Sequence, residues 1–275
     1  MDFHFISGLP RSGSTLLAAV LRQNPRFDAC FMTPLGHLYT NVLEGLDAKN
    51  EAYRLLTDEK REAVLKGLFQ SFYAQHVAAS DVVFDNNRRW LANLPTLVSL
   101  FPACRVLVPV RSPAAIVDSF ERLWAANPYR TSIILGCEAN TTVYDRVNTL
   151  MSKNGVIGFA LNALRTAFYG PLSDRLVLVP YDDLARFPDR MLEHIHHKLM
   201  LEPFKYDFSN VQQIPGAAEF DDQLGAPGLH SVKPKFAYEQ RKSVLPPDLY
   251  QGLPPPFWQN NLPTKSIKSP VTLKG

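Results

Sequence analysis

Short apolar runs and longer stretches of helical spacing take turns along residues 3–201. The first run, Phe3-His4-Phe5-Ile6-Ser7, is β-prone, and the apolar residues of 16–22 have helical density until Asn24-Pro25 stops them. Residues 27–33 read as a short extended segment, and Pro34 opens a helix that runs toward Leu46. Asp58-Glu59 begins a longer one, with Val64, Leu65, Leu68, Phe69, Phe72 and Tyr73 at helical spacing up to Val77. Residues 81–85 form the second strand, and Leu91, Leu94, Leu97, Val98 and Phe101 make a helical stripe closed by Pro102. Residues 105–110 have the length and continuity of a buried parallel strand. Pro113 then opens a helix through Ser119 to Trp124. Val143, Val147, Leu150 and Met151 mark another helix, residues 156–169 a clearer one, 175–180 the fourth strand, and 189–201 a last helix.

Strands alternating with helices predict an α/β fold with a parallel sheet covered by helices on both faces. From Glu202 onward proline, glycine and polar residues dominate. The expected organisation is one domain over residues 1–275, with a core at 3–201 and an irregular extension at 202–275 laid over the domain or a neighbouring subunit. Homo-oligomerisation is left open.

Bulk properties narrow the classes. A formal net charge of +3 gives no reason to expect nucleic acid or a polybasic membrane contact. No apolar run reaches the length of a membrane span. A strand starting by Phe3 leaves no room for a signal peptide. Cys30, Cys104 and Cys137 are an odd, scattered set that fits a reducing compartment. A cytoplasmic location is expected.

The chemistry-bearing stretch is Gly8-Leu9-Pro10-Arg11-Ser12-Gly13-Ser14-Thr15, a small-residue loop between strand and helix. Loop and first-turn N–H groups converge on an anion there, and the helix dipole assists. The spacing fits a P-loop frame, but Ser14 stands where a Walker loop carries its lysine, and the cation is Arg11. NTP chemistry needs that lysine, so the loop suits a phosphate or sulfate held by the planar fork of Arg11. Ligands of open α/β sheets sit beyond the carboxyl ends of the strands, which gathers residues 7–15, 85–90, 111–119 and 181–184. Arg111 leaves a buried strand at that end and Ser119 lies about two turns along the next helix, a second anion site. As structure only, Arg111 would instead pair with Asp118 or Glu121.

Residues Pro10 to Leu17 resemble the 5′-phosphosulfate loop of sulfotransferases that use 3′-phosphoadenosine 5′-phosphosulfate (PAPS), and Arg111-x-Pro followed by Ser119 resembles their 3′-phosphate motif. The stretch between them and Tyr181-Asp182-Asp183-Leu184 are also similar to that family, to its bacterial and tyrosylprotein branches in particular. The resemblance spans about residues 3–200. It implies a transfer of the sulfuryl group from PAPS to an acceptor hydroxyl or amine by in-line displacement, with 3′,5′-ADP as product and no metal. It also implies that Pro10, Arg11, Ser12, Gly13, Ser14, Thr15 and Leu16 hold the 5′-phosphosulfate. Arg111 and Ser119 would hold the 3′-phosphate, with Tyr181 and Lys233 as further nucleotide contacts. Arg11 would stabilise charge in the transition state.

Two family positions are substituted: the tyrosylprotein branch's general-base Glu falls on Met32 and its second catalytic Lys on Asn86, with Arg88 or Arg89 as replacement cations. Asp85, at a strand end, is the first choice for the base and His37 the second. Trp90, Trp124, Tyr129, Tyr144 and Phe159 are candidates for an acceptor pocket or for core. His194, His196 and His197 read as a solvated helix face rather than metal ligands. A kinase on the same loop, or a module that binds a 3′-phosphorylated nucleotide without catalysis, are the rival readings.

Overall fold

The computed structural model describes residues 2–46, 51–75, 81–135 and 141–259. Its frame is one parallel sheet of β1 (Asp2–Ile6), β2 (Phe27–Ala29), β3 (Val82–Asn86), β4 (Val106–Val110) and β5 (Leu176–Pro180), in the order β2-β3-β1-β4-β5. The short extended segment expected after Asn24 is the edge strand β2. The central strand β1 has β3 on one side and β4 on the other, so the strand order reverses around it. In open α/β sheets that is where a ligand crevice forms.

Strand alternation splits the core between the two faces. Phe3, Phe5, Val83, Val106, Val108 and Val110 point to one side. They pack there with α2 (Leu35–Gly45), α3 (Asp58–Phe72), α4 (Leu94–Leu100), α5 (Pro113–Ala126), α6 (Val143–Met151) and α7 (Val156–Tyr169). Ile6, Phe84, Leu107, Val177 and Val179 point to the other side, where α1 (Ser14–Leu21), α8 (Tyr181–Arg186) and α9 (Pro188–Leu199) cover them. The α4 stripe opens with a 3-10 turn over Leu91–Asn93. The end of the α3 stripe near Val77 and Cys137 lie outside the described residues, while Cys30 and Cys104 are free thiols.

One sequence expectation changes. His196 is not on a solvated face: it is buried, with Nδ1 against the Glu202 carbonyl at 2.6 Å and Nε2 against the Tyr206 hydroxyl at 2.8 Å. It lies on the same helical stripe as Leu192 and Leu199. The extension beyond Glu202 holds two short helices, α10 (Ala217–Gln223) and α11 (Pro247–Gly252). It feeds both faces of the core, through Tyr206, Val211, Ile214 and Val232 on one and Leu229, Leu245 and Trp258 on the other.

Helix α5 carries Ser119 toward the strand ends, and a buried ion pair fixes α6 against it. Arg146 donates through Nε and Nη2 to Glu121 at 2.9 and 2.5 Å and through Nη1 to the Thr141 carbonyl at 2.7 Å. Its guanidinium lies 3.8 Å from the Trp124 ring centroid, and both charged residues are buried. The planar fork satisfies both carboxylate oxygens, which makes the buried pair tolerable. Removing one member strands the other. Arg146→Ala is expected to cost about 3–5 kcal/mol in urea unfolding, and a loss below about 1 kcal/mol would show a pair that water already screens.

Candidate functional site

Ladder bonding continues past the end of β1. Ser7 N–H donates to the Leu107 carbonyl and Leu9 N–H to the Pro109 carbonyl, each at 2.9 Å. The loop therefore runs beside β4 until Leu9, which delivers Arg11 to the neighbourhood of Arg111. Gly8 is required by this approach, because a Cβ there would sit 2.2 Å from the Pro109 carbonyl oxygen. The turn itself needs left-handed backbone at Arg11 (φ 56°) and Gly13 (φ 89°). Helix α1 then starts at Ser14, its first helical bond being Leu17 N–H to the Gly13 carbonyl. By helix geometry the amides of Ser14, Thr15 and Leu16 point out of its N-terminus, toward a cavity of about 1300 Å³ lined by these residues with Pro10, Arg11 and Gly13. Ser12 lies fully buried beneath the turn.

Arg111, Ser119 and Tyr181 line the same cavity. The Arg111 guanidinium stacks 4.4 Å from the Tyr181 ring centroid, and the same ring backs Gly13, where a Cβ would come within 2.9 Å of it. Neither of the two acids near Arg111 in sequence pairs with it. Asp118 accepts from Arg122 at 2.7 Å, and Glu121 belongs to Arg146. The Arg111 Nε is buried with no hydrogen-bond partner among the described residues. Arg11 donates through Nε to Ser119 Oγ at 3.1 Å and through Nη1 to the Leu229 carbonyl. Burial and the nearby charge of Arg111 hold the Arg11 pKa below its ordinary value, against the pull of Asp221. Two guanidiniums thus share one partly desolvated cavity, an arrangement that an anion relieves.

Residues 4–205 match the profile of the sulfotransferase family. The chain belongs to that family. The nodulation protein NoeE of Sinorhizobium fredii (strain NBRC 101917 / NGR234) is 25% identical over 226 residues, covering 76% of this chain and 52% of NoeE. The chain thus spans about half the length of that curated relative. Among solved structures, it is similar to the sulfotransferase domain from the curacin biosynthetic pathway, at 21% identity and TM-score 0.48. That match covers 74% of this chain and 75% of that domain. The sulfotransferase domain of the Synechococcus PCC 7002 olefin synthase matches at 22% identity and TM-score 0.46, over 93% of this chain and 89% of that domain.

Other expected site residues of this sulfotransferase-family chain fall in different places. His37 is exposed on α2 at the cavity rim, its pKa lowered by partial burial and by Arg89 and Arg88. Arg88, Arg89, Asn86 and Met32 also line the cavity, with Asn86 donating to the Phe31 carbonyl at 2.9 Å. Lys233 reaches the rim, where it pairs with Glu239 at 2.7 Å; Lys233 and Arg241 together hold that carboxyl down to about 2. Of the aromatic candidates, Phe159 lines the cavity, Trp90 is core, and Tyr129 and Tyr144 are exposed. Among the described residues no group of three or more His, Cys, Asp and Glu gathers in a metal-holding arrangement.

Asp85 is not brought to the cavity. It is fully buried and accepts from Thr33 Oγ1 at 2.8 Å, Tyr73 Oη at 2.5 Å and Trp90 Nε1 at 2.7 Å. Burial keeps its carboxyl above the ordinary range in spite of those donors. A carboxyl enclosed this way ties β3 to the segments on either side of it and is turned away from the cavity an acceptor would enter.

Sequence reasoning passed over a histidine that does face the cavity. His230 sits in the extension, with its Nδ1 2.5 Å from Asp221 Oδ1 and its backbone N–H 2.7 Å from Asp221 Oδ2. Asp221, on α10, is 1% exposed. No short-range spacing announces the pair; the one available signal was a histidine just upstream of Lys233.

Asp85→Ala removes the carboxyl that three buried donors share, and its unfolding free energy is expected to fall by about 3 kcal/mol or more. Asp85→Asn, which keeps one acceptor oxygen, is expected to fall less. Chemical denaturation of the two variants checks the order; an alanine variant as stable as the wild type would show that the network does not hold this region.

Proposed function

We propose that this chain moves a sulfuryl group from PAPS to an acceptor hydroxyl or amine, with the donor's two anionic ends held at two strand exits. The observation that carries the reading is Arg111. Its buried Nε has no partner among the described residues, both nearby acids are engaged elsewhere, and it stacks on the ring that backs the Gly13 turn. A polar group left unpaired at that depth is costly without a ligand to receive it.

The residues present fit such a donor. Arg11 and the amides of residues 12–16 would hold the 5′-phosphosulfate, while Arg111 and Ser119 would hold the 3′-phosphate. Tyr181 supplies a flat surface between them, and Pro10 and Leu16 complete the wall. Lys233 would act at the rim after exchanging Glu239 for the nucleotide. When bound, PAPS supplies the sulfuryl group and departs as 3′,5′-ADP. Arg11 and the loop amides are donors fixed in advance toward the departing phosphate, so they favour the charge that builds there in the transition state over the ground state. Arg88 or Arg89 supplies positive charge on the side where the family's lysine is replaced by Asn86.

Ser14 in the place of the Walker lysine gives the kinase reading no support. The discriminating experiment is thermal denaturation with 3′,5′-ADP, ADP and ATP. Saturating 3′,5′-ADP is expected to raise the midpoint by several degrees, about 5–10 °C, and well beyond the other two. In Arg111→Ala the affinity for 3′,5′-ADP is expected to fall about 10–100-fold and the preference to vanish. Equal responses to ADP and 3′,5′-ADP in the wild type would overturn the proposal.

A further inference from the structure

We infer that His230, held in orientation by Asp221, is the general base that removes the acceptor's proton; the inference rests on the sulfotransferase reading above and goes beyond it. The geometry has three parts. First, Asp221 takes both the ring Nδ1 and the backbone N–H of His230, at 2.5 and 2.7 Å, and is itself buried. An acceptor-only carboxylate at Nδ1 places the ring proton there and leaves the lone pair on Nε2. Second, the preceding residue is anchored at the reaction centre: Arg11 donates to the Leu229 carbonyl, so His230 lies one residue from an atom gripped by the loop cation. Third, the ring packs against Phe31 and Phe220, with centroids 5.1 and 5.7 Å away, as one corner of a cluster in which the two phenyl rings also meet at 5.6 Å, and these contacts limit its rotation.

The two bases expected from sequence are worse placed. Asp85 is enclosed by three donors, and His37 is exposed on α2. In the proposed step the acceptor O–H passes its proton to His230 Nε2 as its oxygen forms a bond to sulfur. The bond from sulfur to the bridging 5′-phosphate oxygen breaks, and that oxygen leaves with the electron pair as part of 3′,5′-ADP. Arg11 faces the departing charge and His230 the entering oxygen. Asp221 is a positioning residue that acts through His230 and also steadies the imidazolium.

The charged groups around the ring are Asp221, Arg11 and Arg88. Burial lowers the His230 pKa below 6.5, Asp221 raises it, and the two arginines lower it again, with a net fall. Since the base works only unprotonated, the rate falls as the pH drops through the titration of this ring.

The test combines three measurements on the full chain: nitrogen NMR of the histidine rings, calorimetry with 3′,5′-ADP, and single-turnover release of labelled sulfate from PAPS with water as acceptor. The expected results are an Nδ1-protonated neutral His230 and a sulfate-release rate that titrates with that ring. His230→Gln should slow release about 100-fold or more with 3′,5′-ADP binding retained. Asp221→Asn should shift the acid limb to lower pH, a change that a purely structural tether would not produce. An Nε2-protonated neutral ring would overturn the inference, as would a His230→Gln chain that binds 3′,5′-ADP and releases sulfate at the wild-type rate. Failure of the unsubstituted chain to bind 3′,5′-ADP would instead sink the donor reading, and the inference with it.

Discussion

The site depends on how closely the chain after β1 is drawn along β4. Two backbone hydrogen bonds beyond the end of β1, to the carbonyls of Leu107 and Pro109, keep the loop in contact with its neighbour strand until Leu9. Gly8 makes this contact possible because any side chain would overlap the Pro109 backbone. The consequence is electrostatic. Arg11, at the turn of the first loop, and Arg111, at the exit of the adjacent strand, open onto one cavity, and each guanidinium is paid for by few protein acceptors. The sheet's order thus converts two sequence-distant arginines into one anion-seeking surface.

That surface is stiffened from behind. Tyr181 follows β5 directly, so its ring is carried by the strand on the far side of β4 and lands between Gly13 and Arg111. Ser119 is fixed by α5, whose N-terminus is capped by the Ser112 hydroxyl and whose flank is locked to α6 through Glu121 and Arg146. Groups held this firmly need little rearrangement when charge develops, which is the property electrostatic catalysis requires.

Legibility followed the range of the interaction. The loop at residues 8–15 could be read because strand, turn glycine and helix are adjacent in the chain, and the alternation of strands and helices is the fold. Arg111 and Ser119 could be read as a pair because one helix joins them. Asp85 misled because a strand end has two faces. Val83 and Asp85 share parity, and Val83 belongs to the face under α3 with Tyr73 and Trp90, so the carboxylate turns into the core. Parity was available in the sequence; the three donors waiting for that carboxylate were not. His196 was similarly legible from its stripe with Leu192 and Leu199. His230 and Asp221 were not, since the helix that carries Asp221 has only seven residues, His230 lies outside any helix or strand, and their meeting depends on the path of the extension.

That path explains why the two sides of the cavity differ in legibility. The family match ends at residue 205, and the loop at residues 8–15, Arg111, Ser119 and Tyr181 all precede it. Among its described residues the extension adds no strand to the sheet. It is ordered by point contacts: Val211 N–H to the Pro234 carbonyl at 2.7 Å, Ser132 Oγ to the Leu224 carbonyl at 3.0 Å, and Gly225 packed where a Cβ would strike the Thr131 carbonyl oxygen. Yet it supplies Phe220, Leu224, Leu229, His230 and Lys233 to the cavity wall. On the proposed reading, a common α/β frame holds the donor while a segment without periodicity shapes the acceptor side. Phe220 packs against Phe31 and His230 on that side of the cavity, so changing it or Leu224 would bear first on the acceptor.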